Sequence, residues 1–128
     1  AAIRNPGKGE PLFSLEERQE MIREAVHHLD NVDVVSMTKL TVDVAKDVDA
    51  DVIVKGLRVS SDFEYELQMA QMNHAISGVD TVFVPCSSSG SFIASSLVRQ
   101  IAQFGGAGRI GSMVPRSVAK RLEEKFNK

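Results

Sequence analysis

Two cations flank a glycine directly after a run of β-branched residues, in the segment "DVIVKGLR" (51–58). Lys55 supplies a compact positive charge, and Arg58 offers a planar fork of donors that matches phosphate oxygens. The run predicts a buried strand over 51–56, so both cations should lie at its carboxyl end, where parallel sheets bind ligands. Two interpretations stay open at this point: a phosphate-binding turn, or surface charges on a solvated loop.

Two further turns have residue types that suit an anion. "NPGKG" (5–9) places Lys8 among glycines, which let backbone amides approach a ligand closely. "SSSGSFIASS" (87–96) is a polar turn that leads into a helix, whose free N–H groups and dipole favour phosphate. Taken singly, the first is equally a solvated turn and the second an ordinary set of helix caps. Three such turns at successive strand ends predict a site for a phosphorylated ligand.

The elements that must position these turns alternate between strands and helices. Capping boxes start two helices, at Ser14 with Glu17 and at Ser61 with Glu64. A further helix over 92–104 should end at Gly105 and Gly106, and Pro115 should begin the last one. Apolar and alternating runs predict strands, in addition to the end of one at 1–3, over residues 31–37, 51–56 and 80–86. This order predicts an α/β fold, mainly a parallel sheet with helices on both faces.

Length and composition limit the class of protein. The chain has 128 residues, 43% of them hydrophobic, which predicts one domain over 1–128. A net charge of −2 argues against a general nucleic-acid binder, and no apolar run approaches the ~18 residues that span a bilayer. The single cysteine, Cys86, cannot form an intramolecular disulfide and is expected to be structural, so we expect a cytoplasmic protein.

Other polar residues suggest less chemistry. Glu64 and Glu66 lie two apart on a predicted helix and so face different directions, which excludes a paired acid–base dyad. The histidines at 27, 28 and 74 lack the spacing of a metal site. Apolar side chains on the same predicted helix are expected to form core or pocket wall: Leu67, Met69 and Met72.

In these motifs, the chain resembles the bacterial phosphopantetheine adenylyltransferases along nearly its whole length. The resemblance is carried by "NPGK", "FSLEER", "VKGLR", "DFEYELQMAQMN", "VDTVFV", "SFIASSLV" and "SMVP". It implies a Rossmann-like nucleotidyltransferase fold, a hexameric assembly and a role in coenzyme A synthesis. The implied reaction is reversible transfer of an adenylyl group from ATP to 4′-phosphopantetheine, which gives dephospho-coenzyme A and pyrophosphate.

The resemblance also implies roles for individual residues. Lys8, Thr41 and Lys55 would bind phosphopantetheine, with Thr41 acting through its backbone from a loop after the second strand. Residues that would bind ATP are Gly56, Leu57 and Arg58 through the phosphates, Glu66 through the ribose, and the segment Gly90, Ser91, Phe92, Ile93, Ala94, Ser95 and Ser96. Mg²⁺ would accompany ATP, held by phosphates and water more than by protein ligands.

The sequence departs from the family pattern in ways that affect these expectations. The family's N-terminal strand and helix, with a Thr/x/Gly/His motif, have no match, so no catalytic residue is assigned and the chain as written is expected to be impaired. Gly90 stands where the family has an aromatic residue, and Ala94 replaces the first of three serines. The alternative is a non-catalytic protein of this lineage that binds phosphopantetheine or coenzyme A.

Overall fold

The chain alternates short strands and helices, as the sequence predicts. The computed structural model describes residues 2–3, 11–58 and 63–126. Lys8 and the predicted cap at Ser61 lie outside these residues. The elements in chain order are β1 (Ala2–Ile3), α1 (Leu15–Val26), β2 (Ser36–Met37), α2 (Thr41–Asp47), β3 (Val52–Leu57), α3 (Phe63–Ser77), β4 (Asp80–Pro85), α4 (Ser95–Gly105), a 3₁₀ turn (Ala107–Ile110) and α5 (Arg116–Phe126).

The strands form two parallel pairs. β1 pairs with β2, and β3 pairs with β4, in register from Val52 opposite Asp80 to Leu57 opposite Pro85. Parallel strands need a crossover connection, which α3 supplies between β3 and β4. The combination of helices with parallel strands confirms the predicted α/β class.

Two compact units divide the chain, one from residues 1–38 with 93–128 and one from residues 39–92. In the first unit, α4, α5 and the 3₁₀ turn enclose a core of fully or nearly buried side chains: Val98, Ala102, Ile110 and Leu122. Arg121 on α5 also donates a hydrogen bond to Glu20 on α1 across 2.8 Å. The helices of this unit are therefore held together by an apolar core and by an ion pair between α5 and α1. The single domain over 1–128 stays a prediction.

In the second unit, α3 covers one face of the β3–β4 pair. The ring of Phe63 packs edge-to-face on Phe83, with 5.7 Å between ring centroids. Valines on the opposite face of the pair are exposed: Val52, Val54, Val82 and Val84. Within the described part of the chain, no helix combines the length and apolar character that a bilayer span requires.

Some predicted elements are shorter or lie elsewhere. The predicted strand over 31–37 is a strand only at Ser36–Met37, because just two residues find a partner on β1. The helix predicted from Phe92 begins at Ser95, since residues 87–92 form a hydrogen-bonded turn. Leu67 and Met72 are exposed in this chain, not buried in a core, because they lie on sides of α3 away from the sheet.

The start of α1 and the end of α4 follow the expected chemistry, but the start of α4 does not. Ser14 caps α1: its hydroxyl accepts from the Glu17 N–H, and the Glu17 carboxylate accepts from the Ser14 N–H, both at 3.1 Å. Gly106 ends α4 with φ at +89°, a conformation that other residues adopt only with strain. At the start of α4, Ala94 has extended backbone but makes no side-chain cap, so this helix lacks a hydroxyl that the first helix has.

Replacing Ser14 with alanine should destabilise the protein by about 1 kcal/mol, because alanine lacks the hydroxyl that accepts from the Glu17 N–H. Chemical denaturation followed by circular dichroism measures the change. Ser112→Ala, at an exposed serine, is the control and should change stability by no more than a few tenths of a kcal/mol. Equal losses in the two variants would contradict the capping role.

The Glu17 carboxylate should make stability depend on pH. The hydrogen bond from the Ser14 N–H lowers the pKa of Glu17 below its ordinary 4.5. A carboxylate with a lowered pKa stabilises the fold above its unfolded pKa, and that contribution is lost as the pH falls through the lowered value. The stability difference between the natural protein and Glu17→Gln should therefore shrink from neutral pH to below 4.5. A constant difference there, or an equal trend in Glu16→Gln, would contradict this.

Adding a capping hydroxyl to α4 should stabilise the protein. Ala94 has φ −127° and ψ 139°, which suits a β-branched residue at an N-cap. Ala94→Thr should add about 1 kcal/mol, because the hydroxyl can accept from a free N–H in the first turn. Ala94→Val has the same shape without the oxygen and should add nothing comparable. A gain in both variants would indicate packing as its cause.

Candidate functional site

The carboxyl ends of β3 and β4 lie side by side. Leu57 is opposite Pro85 in the ladder, and the Cys86 N–H donates to the Leu57 carbonyl across 2.7 Å, one residue beyond β4. Arg58, which is exposed, follows β3 at this edge. The turn with the two cations and the serine turn therefore leave the same edge of one parallel pair, where sheets of this type bind ligands.

A half-buried ion pair lies just below this edge. Lys55 Nζ donates to Glu66 Oε2 across 2.8 Å and lies 3.9 Å from Met69 Sδ. The lysine comes from β3 and the glutamate from the first turn of α3, and their side chains retain 29% and 27% of their exposure. Glu64 is exposed and points elsewhere, as the spacing predicts. Lys55 and Glu66, which the resemblance assigns to different ligands, are thus direct neighbours.

The serine turn after β4 is held by its own hydrogen bonds. The N–H groups of Gly90 and Ser91 both donate to the Ser87 carbonyl, at 3.1 and 3.0 Å, and the Ser91 hydroxyl donates to the Ser88 carbonyl at 3.3 Å. A Cβ added at Gly90 would lie 3.7 Å from Ser87 Oγ, an ordinary contact. This backbone does not require glycine, because a β-carbon fits at position 90 without a clash.

Thr41 lies in a different setting from the one expected. It is the first residue of α2, not part of a loop after the second strand, because the helix begins directly after its N-cap at Leu40. Its backbone N–H belongs to the first turn of that helix, where N–H groups have no partner from the helix itself. The position is half-buried and lies in the same unit as Lys55. A contact through the backbone of Thr41 stays a prediction.

The remaining predicted nucleotide segment enters α4 in the other unit. Ile93 and Ala94 precede the helix, and Ser95 and Ser96 are its first two residues. Ile93 and Ser95 line a mainly apolar cavity of about 330 Å³ between helices of this unit. The side chains that complete its wall are Pro11, Leu12, Phe13, Arg18, Met21, Val98, Arg99, Val114, Val118 and Leu122.

Two arginines on this cavity were not singled out from the sequence. Arg99 lies four residues after Ser95 on α4, so the spacing alone could have placed them on one helix face. Arg18 lies on α1, and its Nε donates to the Ser14 carbonyl across 3.4 Å. No sequence signal links it to α4, because the approach of the two helices depends on tertiary packing. The cavity wall is therefore mainly apolar and includes two arginine side chains.

The structure thus places the described site residues in two groups, with Thr41 separate from both at the start of α2. Lys55 and Glu66 are in contact, and Gly56, Leu57 and Arg58 lie beside them on the strand end. The segment 90–96 runs from the serine turn to the start of α4, and Lys8 lies outside the described residues. Among residues 11–58 and 63–126, no three acidic, histidine or cysteine side chains converge as a metal site would require.

Several known proteins similar to this chain have the same name. Residues 2–101 match the family described as cytidylyltransferase-like. The phosphopantetheine adenylyltransferase of Synechococcus sp. (strain CC9902) is 48% identical over 99% of this chain and 77% of its own length. The enzyme of the same name from Gloeothece citriformis is 51% identical over 94% and 75%, and that from Caldanaerobacter subterraneus subsp. tengcongensis is 46% identical over 100% and 79%.

Identity near one half over almost all of this chain cannot arise from a shared fold class alone. The matched family also has the α/β architecture with parallel strands that the structure shows. None of the three names supports the non-catalytic alternative. The chain therefore belongs to the cytidylyltransferase-like family and, within it, to the phosphopantetheine adenylyltransferases.

Proposed function

We propose that the protein transfers an adenylyl group reversibly from ATP to 4′-phosphopantetheine, giving dephospho-coenzyme A and pyrophosphate in coenzyme A biosynthesis. The observation that carries the proposal is the half-buried Lys55, held 2.8 Å from Glu66 at the carboxyl edge of β3. The pair brings together a cation that suits a phosphate and a carboxylate that can accept from sugar hydroxyls. Relatives of the chain are named for this transfer.

The chemistry requires little from the protein beyond position and charge. An oxygen of the acceptor's phosphate attacks the α-phosphorus of ATP, a new P–O bond forms, and the bond to the bridging oxygen breaks as pyrophosphate leaves. Both reactants are anions, so cations must offset their repulsion while the reacting atoms are held ≈ 3–3.5 Å apart. Lys8 and Lys55 would hold the acceptor's phosphate, with the backbone of Thr41 beside it.

The nucleotide would lie across the strand end and the serine turn. Arg58, with the backbone of Gly56 and Leu57, would bind the ATP phosphates, and Glu66 would accept hydrogen bonds from the ribose. The proposed contact with the serine turn is supported by the position of that turn, which lies at the same edge of the parallel pair as the end of β3. The segment from Gly90 to Ser96 would offer N–H groups and hydroxyls to the nucleotide.

Mg²⁺ would accompany ATP, with its ligands supplied by phosphate oxygens and water. Glu66, the carboxylate at this edge, already has Lys55 as its partner, and no acidic cluster surrounds it among the described residues. This donor set suits an ion carried by the nucleotide better than one held by the protein. Bound in this way, the ion would neutralise charge on the triphosphate. A homohexamer in the cytoplasm completes the proposal, by analogy with the family.

Arg58→Ala should weaken ATP binding roughly tenfold or more, because a charge-assisted hydrogen bond to phosphate contributes about 1.5–3 kcal/mol. Isothermal titration with Mg²⁺ and α,β-methylene-ATP measures the affinity, and chromatography of dephospho-coenzyme A measures transfer. Affinity for phosphopantetheine should change less than about twofold, since Arg58 is assigned to the nucleotide.

Arg116→Ala, at an exposed arginine on the last helix, is the matched control for loss of one positive charge. It should leave both affinities unchanged. Unchanged ATP affinity in Arg58→Ala would contradict the role of that residue. Failure of the natural protein to bind either substrate would contradict the proposed function as a whole.

A further inference from the structure

Lys55 and Glu66 satisfy each other when neither ligand is present. Their charged atoms lie 2.8 Å apart, and both side chains are about seven-tenths buried. Met69 Sδ, at 3.9 Å from Lys55 Nζ, limits the space on the α3 side of the lysine. A carboxylate in such surroundings needs a hydrogen-bond donor, because a half-buried charge without a partner is costly.

The two ligands of the proposed reaction would each take one member of this pair. A phosphate dianion is a stronger partner for Lys55 than a carboxylate, so the acceptor would draw the ammonium group away from Glu66. The ribose hydroxyls of the nucleotide are donors, and they would replace the N–H that Glu66 loses. Phosphopantetheine leaves Glu66 without a donor, and the ribose hydroxyls of ATP supply one. Each ligand thus lowers the free-energy cost of binding the other, which is positive coupling between two sites.

We propose that the Lys55–Glu66 pair is an exchangeable ion pair that couples the binding of the two substrates, with Glu66 positioning Lys55 until phosphopantetheine binds. This inference rests on the proposed function and adds a residue-level cause for cooperative binding of the two substrates. Because coupling of binding free energies is reciprocal, ATP should raise the affinity for phosphopantetheine by the same factor as phosphopantetheine raises that for ATP.

The test compares two affinities in each protein variant. Isothermal titration gives the dissociation constant of 4′-phosphopantetheine with and without saturating Mg²⁺ and α,β-methylene-ATP, and their ratio is the coupling factor. Direct repulsion between the phosphates of the two ligands lowers this factor equally in every variant. Glu66→Gln should reduce it about threefold relative to the natural protein, the size expected for an ion pair of this exposure.

Two controls separate the pair from a general charge effect. Glu64→Gln removes an exposed carboxylate two residues away on the same helix and should keep the natural coupling factor. Pantetheine, which lacks the phosphate and cannot take Lys55, should show no difference between the natural protein and Glu66→Gln. Far-ultraviolet circular dichroism and thermal melting establish that each variant is folded.

The outcomes distinguish the inference from the proposed function. An unchanged coupling factor in a folded Glu66→Gln variant overturns the exchange, while binding of both ligands still supports the adenylyltransferase. An equal fall in Glu64→Gln also overturns it, because charge on α3 in general would then be the cause. Absence of binding by either ligand to the natural protein overturns both proposals together.

Discussion

The parallel register of β3 and β4 is the constraint on which the candidate site depends. Leu57 is opposite Pro85, so the two strands end at the same position in the ladder. The hydrogen bond from the Cys86 N–H to the Leu57 carbonyl keeps the segments that follow the two strands side by side. A shift of one residue would turn Lys55 to the other face of the strand, away from α3 and Glu66. The chemistry at this edge is therefore set by backbone pairing before any side chain contributes.

The packing of α3 on the strand pair determines which charged side chains meet at this edge. Its Phe63 ring packs on Phe83, which fixes the helix over the face of the pair that contains Lys55. Once the helix is held there, Glu66 in its first turn reaches the Lys55 ammonium group and Glu64 does not. The same packing leaves Met72 on an exposed side of the helix, so apolar character alone does not mark the residues that build this unit's interior.

Local chemistry is what the sequence predicts well here. The capping box at Ser14, the end of α4 at its glycines and the strand that closes at Pro85 all follow from hydrogen-bonding capacity and backbone freedom within a few residues. The prediction of a strand over 31–37 is too long, because the length of a strand depends on a distant partner strand. Just two of these residues pair with β1. Arg18 and Arg99 share a cavity through helix packing that no spacing rule encodes.

The family resemblance assigns Lys55 to the acceptor and Glu66 to the nucleotide, and eleven residues of sequence separate them. Nothing in that separation shows that the two side chains touch, because their contact requires α3 to pack over β3. Their 2.8 Å distance has a chemical consequence for the proposed transfer. Ligands anchored on adjacent atoms of one ion pair lie next to each other, and in-line attack needs the acceptor oxygen ≈ 3–3.5 Å from the α-phosphorus. When both substrates bind, Lys55 and Glu66 would separate from each other. The same exchange of partners would place the acceptor phosphate next to the nucleotide.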